Sequence, residues 1–319
     1  MSFIRTYGNI LTLALAVAIG PIVAITMNDP YLLSTFERIL IIAVAAASLN
    51  MILGFGGMVS FGHAVFLGVG AYATGLMANA GLTSLLVQLP VVIVASAFSA
   101  LFIGAIALRT TGIYFIMITL ALAQIFYYIA VSSSSFGGDD GMVIYERTTL
   151  GAFYDPFDNY QFYGFVAAVA VVLILSINHL VGSEFGQRLV ACRENPARAE
   201  ALGLNTFGIR LTAFVIAGVF CGLAGFLLAN QSEFATPGYA NWQRSGELLA
   251  IVILGGVGAR SGPVLGAFVF IWLEHALSGW TTHWAAIFGP LLILSVLFFR
   301  GGLASIGPYL GNLRGERSR

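Results

Sequence analysis

The sequence predicts an all-α integral membrane protein, a polytopic bundle of about ten transmembrane helices joined by short loops. Three observations carry that prediction. Only 9% of the 319 residues are charged and 59% are hydrophobic, whereas soluble domains carry about 25% charged residues. From Ile39 to Leu108, 70 consecutive residues, there is no Asp, Glu, Lys or Arg. A spanning helix needs about 20 apolar residues, so that stretch alone has room for three.

Apolar runs bounded by charges and turn residues place the spans at 9–27, 36–54, 59–79, 86–108, 112–131, 161–181, 209–230, 245–259, 262–279 and 284–299. The span at 245–259 is short enough to be re-entrant, and the one at 59–79 begins in a Gly-rich run. Ten helices of about 20 residues consume about 200 positions. The remainder holds no soluble domain, so residues 1–319 read as one transmembrane domain. Arg5 ahead of the first apolar run resembles the start of a signal sequence, but no A-x-A-like cleavage site closes it. It reads as an uncleaved first helix.

All 14 basic residues are Arg. With the N-terminus inside, eleven of them fall on the cytoplasmic side and only Arg38, Arg147 and Arg244 fall outside, which satisfies the positive-inside bias. Both termini are then cytoplasmic. The absence of Lys excludes a P-loop, whose Lys reaches the nucleotide phosphates, and Schiff-base chemistry on a lysine amine. Cys192 and Cys221 form neither a disulfide framework nor a zinc site. No catalytic residue, cofactor or metal is expected, and the partners do not include nucleic acid.

Two hydrophilic segments interrupt the spans. The outer one, 132–160, carries five acidic residues against Arg147 alone, around Gly137-Gly138-Asp139-Asp140-Gly141. It is either a solvated surface loop or a docking and gating element. The inner one, 182–208, reads as two short charged helices. Ser183 is placed to cap the first, Asn195-Pro196 has the form of an N-cap with Pro at the first helical position, and Gly203 is a C-terminal stop. Its few apolar residues suit a groove on another protein better than the membrane.

Ionisable groups inside spans are costly and therefore informative. His63, Glu247 and Glu274 qualify. His63 reads either as bonded to a carbonyl in the Gly-rich turn 53–62 or as part of a solute path. Glu247 reads as an ion pair with Arg244 or as a path residue. Asn50, Thr119 and Gln124 lie well inside their spans, where hydrogen bonding between helices is the ordinary role and a solute path the sharper one. A second Gly-rich passage, 254–263, loosely resembles the first.

The run from Asn50 to Gly75, Gly112-Ile113-Tyr114-Phe115 with Thr119-Leu120, the Gly-Gly-Asp-Asp-Gly loop, Gly186 to Asn205, and Gly255 to Gly266 together resemble one family. It is the LivM-type membrane permease of high-affinity branched-chain amino acid ABC importers, matched in order over roughly 40–300. That resemblance implies a bacterial inner-membrane importer of two different homologous permeases, two cytoplasmic ABC ATPases and a periplasmic binding protein. It implies that 182–208 is the coupling loop to the ATPase, carried by Arg193, Arg198, Glu200, Ala201, Leu202 and Gly203. It leaves the solute as branched-chain or related hydrophobic amino acids, or as urea, short amides or aromatic acids. Asn50, His63, Thr119, Gln124 and Glu247 are the path candidates. Cys192-Arg193 departs from the more regular Ala-Ile-Arg pattern of the family. Two other classes compete. An ion-coupled secondary transporter would show a chain of buried carboxylates, Lys and His, and a structural subunit of a respiratory complex would need a quinone or proton path.

Overall fold

The computed structural model describes residues 30–151, 154–280 and 301–305, with single positions at 17, 20, 283, 286–287, 289–290 and 293. The expected spans at 9–27 and 284–299, and the terminal Arg residues, lie essentially outside the described residues. Ten α-helices are described: α1 Pro30–Asn50, α2 Ala64–Asn79, α3 Leu85–Ala107, α4 Ile113–Ser132, α5 Asn159–Gly182, α6 Glu184–Glu194, α7 Pro196–Ala201, α8 Thr206–Ser232, α9 Trp242–Gly255 and α10 Gly262–Ser278. A π-turn, Met51–Phe55, prolongs α1. Five of these helices are long and apolar enough to cross a membrane: α1 with its π-turn, α3, α4, α5 and α8. The chain is an all-α, multi-pass membrane protein.

Each of the eight expected spans from 36–54 to 262–279 has a helix, with three boundaries displaced. Helix α1 begins at Pro30, ahead of the expected start, because Glu37 is buried within the bundle and does not mark a solvated boundary. Helix α2 begins at Ala64, not at 59, because Gly57 takes φ +69° and the chain stays non-helical to His63. Helix α9 runs earlier than expected, over Trp242–Gly255, and stops where Gly256 adopts φ +115°.

Helix α1 is the central post. Ile41, Ala43, Val44, Ala45, Ala46 and Leu49 are all fully buried, and a helix apolar on every side is stable only when surrounded. It packs against α5, α8, α9 and α10. Helix α8 is the second organiser, laid against α2, α3 and α1. Small residues permit those crossings. A Cβ on Gly70 would collide with the Gly222 carbonyl, one on Gly225 with the Leu67 carbonyl, and one on Gly222 with the Ser96 hydroxyl. In lipid, where no hydrophobic force separates helix from tail, such close backbone approach supplies the packing energy.

Helices α3 and α4 form the open flank. Val94, Phe98 and Phe102 on α3, and Tyr114, Met117 and Tyr128 on α4, are exposed. At one end of the bundle, β1 Met142–Val143 pairs antiparallel with β2 Phe234–Ala235. Buried Thr148 fastens the same loop: its N–H donates to Asn230 Oδ1 at 2.8 Å, and its hydroxyl lies 2.6 Å from Gln88 Oε1. Arg147 pairs with Glu233 at 2.9 Å and lies 4.5 Å over the Phe162 ring. The acidic loop is therefore folded onto the bundle, while Asp139 and Asp140 stay exposed.

The α2–α8 crossing gives the first prediction. Gly70→Val is expected to cost about 1–3 kcal/mol by overpacking and to lower the thermal unfolding midpoint in detergent. Gly164→Ala, with open space around the added Cβ, should leave that midpoint unchanged or slightly raised.

Candidate functional site: a capped hairpin and a glycine junction

The hairpin between α5 and α8 is set by its caps. Ser183 ends α5 in extended backbone, and its hydroxyl donates to the Leu180 carbonyl at 2.7 Å. It occupies the N-cap position of α6 without making the side-chain bond expected of it. Asn195, at φ −151° and ψ 95°, caps α7 by accepting from the Arg198 N–H at 2.9 Å, with Pro196 at the first helical position. Gly203 turns left-handed at φ +82°, its N–H donating to the Glu200 carbonyl at 2.8 Å. Asn205 then caps α8 by accepting from the Gly208 N–H at 2.9 Å.

These caps divide the hairpin into two faces. Gly186, Leu189, Cys192 and Ala199 are turned inward and buried. Arg198, Glu200, Ala201, Leu202 and Gly203 are turned outward and exposed, Leu202 at 76% of its full area. Glu200 Oε1 accepts from the Thr206 hydroxyl at 2.7 Å. Arg193 reaches the bundle: Nη1 donates to the Gly54 carbonyl. Arg210 Nη2 donates to the Cys192 carbonyl at 2.7 Å. Burial pushes the Cys192 thiol above its usual range, with Glu200 adding to the rise and Arg210 opposing it.

Beneath the hairpin, the two Gly-rich passages that look alike in sequence pack on one another. Asn50 Nδ2 donates to the Ala259 carbonyl at 2.9 Å and Oδ1 accepts from the Gly258 N–H at 2.9 Å. A Cβ on Gly54 would stand 2.5 Å from the Gly258 nitrogen. From this junction, residues 56–63 run back into the bundle as irregular backbone, held by side chains. The Phe61 N–H donates to Thr119 Oγ1 at 3.3 Å and the Ala64 N–H to Ser245 Oγ at 3.0 Å. His63 Nε2 lies 2.9 Å from Ser48 Oγ, and its carbonyl accepts from Cys221 Sγ at 3.5 Å.

The structure thus brings His63 and Thr119 to one knot with Ser48, Ser245 and Cys221, and places Asn50 at the glycine junction. Gln124 is separate: its amide nitrogen is enclosed without a hydrogen-bond partner among the described residues. Glu247 pairs with Arg244 at 2.5 Å. With the Arg38–Glu274 pair at 3.1 Å, these charges line a recess of about 10 Å³, room for about one water. Ser48, Ser245 and Arg38 were not legible as members of these groups. A serine in an apolar helix gives no sign of which backbone it will meet, and Arg38 reads as a span boundary.

Residues 31–297 match the family described as the branched-chain amino acid transport system / permease component. The chain belongs to that family. This permease is similar to the high-affinity branched-chain amino acid transport system permease protein LivM of Salmonella typhimurium, at 28% identity over 287 residues, covering 83% of the permease and 68% of that relative. The LivM protein of Escherichia coli K12 is similar to the same extent. The permease is also similar to the autoinducer 2 import system permease protein LsrC of Yersinia pseudotuberculosis, at 33% identity over 146 residues, 42% of the permease and 41% of that relative. No solved structure matches. The protein is a transport component and not an enzyme.

Two outcomes are expected for this site. Asn50→Ala orphans the Gly258 N–H and the Ala259 carbonyl, and should destabilise the permease by about 1–3 kcal/mol or more, read as a lower denaturation midpoint. The thiolate is the reactive form of cysteine, and Cys192 is fully buried with its thiol held protonated. At neutral pH, maleimide should leave Cys192 unlabelled in the folded permease and label it after unfolding, read by mass.

Proposed function

We propose that this chain is the membrane-spanning permease subunit of an ATP-binding-cassette importer. It passes branched-chain or related hydrophobic amino acids across the bacterial inner membrane, using ATP hydrolysed by separate subunits. The observation that carries this reading is the capped hairpin. A helix turn bearing exposed Leu202 beside exposed Arg198 and Glu200 is a small apolar knob with charged flanks, suited to a groove on another protein. Arg198, Glu200, Ala201, Leu202 and Gly203 form the docking end in this assignment.

The remaining parts follow from that reading. The hairpin faces the cytoplasm, both termini lie on the same side, and the full complement is ten spans in one domain, with the acidic loop at the periplasmic face. Exposed Asp139 and Asp140 there offer charge to a periplasmic binding protein. A second homologous permease covers an apolar flank, and two cytoplasmic ABC ATPases complete the assembly. Of the five path candidates, Gln124 and Glu247 are our assignments to the solute route, while Asn50, His63 and Thr119 hold its wall. The LivM relatives favour branched-chain amino acids, and the LsrC relative marks the breadth of solute within similar permeases.

The test is the double variant Glu200→Ala with Leu202→Glu, in the permease co-expressed with its ATPases. Removing an interface anchor costs 2 kcal/mol or more, roughly a thirtyfold loss of affinity. Co-purification of P-loop ATPases should therefore be lost, together with ATP-driven uptake of leucine into vesicles. Retention of both would remove the docking assignment, and uptake that persists without ATPases but collapses with an uncoupler would establish an ion-coupled carrier.

A further inference from the structure

We infer that Arg193 is a positioning residue of the transport cycle, carrying displacement of the hairpin to the irregular segment 56–63. This rests on the hairpin being the element that the ATPase moves. The residues named for docking make no bond to the bundle core, whereas Arg193, although an exposed residue, directs its guanidinium to the Gly54 carbonyl. That carbonyl lies in the π-turn where α1 ends, so it is among the helix-terminal carbonyls that need a partner from outside the helix. Single π-turns inside longer helices occur frequently at functional sites.

The fit around the arginine is close. A Cβ on Gly57 would stand 2.9 Å from Arg193 Cγ, and one on Gly56 would stand 3.4 Å from Leu189 Cδ1. The inner edge of α6 therefore lies directly on the turn that opens the irregular segment. Its own position is fixed from behind by Arg210, which holds the Cys192 carbonyl.

What lies beyond that turn gives the contact its consequence. Segment 56–63 is bonded to α4 through Thr119, to α8 through Cys221 and to α1 through Ser48, and Ser245 of α9 accepts from the Ala64 N–H where α2 begins directly after it. Gly54 itself is seated on Gly258, which Asn50 ties to α1. Helices α5 and α8 follow the hairpin because the chain joins them to it. Helix α1, the irregular segment and the 256–259 turn have no such covalent link. Leu189 lies beside Gly56 through apolar contact, which permits sliding, whereas the Arg193 hydrogen bond has direction and transmits both push and pull.

The experiment uses the permease assembled with its ATPases, carrying Phe61→Cys as a reporter. The backbone bond of residue 61 is kept in that variant, and both native thiols are buried. With Arg193 present, ATP and vanadate should change the maleimide labelling rate at position 61 by about fivefold or more, the scale of a coupling between sites. With Arg193→Ala, the ATPases should still co-purify and hydrolyse ATP, but the nucleotide response at position 61 should disappear. Arg193→Lys keeps the charge and a donor, and should restore part of the response. An unchanged response in Arg193→Ala would overturn the inference, as would an absent response when Arg193 is intact. Loss of the ATPases from Arg193→Ala would overturn it too, because Arg193 would then be a docking contact. If Arg193→Ala fails to fold, the same two readouts on Arg193→Lys decide, a full wild-type response overturning the inference and a diminished one supporting it. Retention of ATPases by the Glu200→Ala, Leu202→Glu variant would instead count against the docking end alone.

Discussion

A backbone that leaves the helix inside a membrane must find partners for every N–H and C=O it exposes. Water is absent there, and each unpaired group costs several kcal/mol. Residues 56–63 are where this permease meets that constraint. Within it, Thr119 accepts from the Phe61 N–H, Cys221 donates to the His63 carbonyl and Ser48 bonds the His63 ring; at its two ends Arg193 of the hairpin donates to the Gly54 carbonyl and Ser245 accepts from the Ala64 N–H. The glycines of 53–62 make the path sterically feasible, and the polar side chains make it tolerable in energy.

The same constraint accounts for the hydrogen bonds made at three of the polar positions picked out in the sequence. Asn50 is an amide with two bonds to make, and Gly258 and Ala259 offer one donor and one acceptor at the right separation. Thr119 Oγ1 and His63 Nε2 are similarly occupied, while His63 Nδ1 has no hydrogen-bond partner among the described residues. Glu247 and Gln124 differ. The first joins three other charges around a shared recess, and the second keeps an unsatisfied amide nitrogen.

Much of the architecture was legible in the sequence because apolar length is a strong signal in lipid. Eight expected spans have helices, and the caps at Asn195 and Gly203 stand where local chemistry placed them. The displaced boundaries share one cause. The span expected at 36–54 starts just ahead of Glu37 and the one expected at 59–79 starts in a glycine run, but tertiary surroundings decide both boundaries. Glu37 is enclosed by the fold, and 56–63 is kept out of the helix by bonds to side chains distant in sequence. The candidate site was legible in part for the same reason. The hairpin is local and could be read; the knot at His63 is built from five separate segments, and no spacing along the chain announces it. The two glycine passages pack on one another, a contact that their loose likeness in sequence does not announce.

The α2–α8 crossing has a mechanical implication. With a peptide carbonyl pressed against the bare face of a glycine at both Gly70 and Gly225, the two rods have no clearance in which to slide lengthwise. A displacement of one rod at that point has to be shared by the other, because close-packed contacts transmit strain.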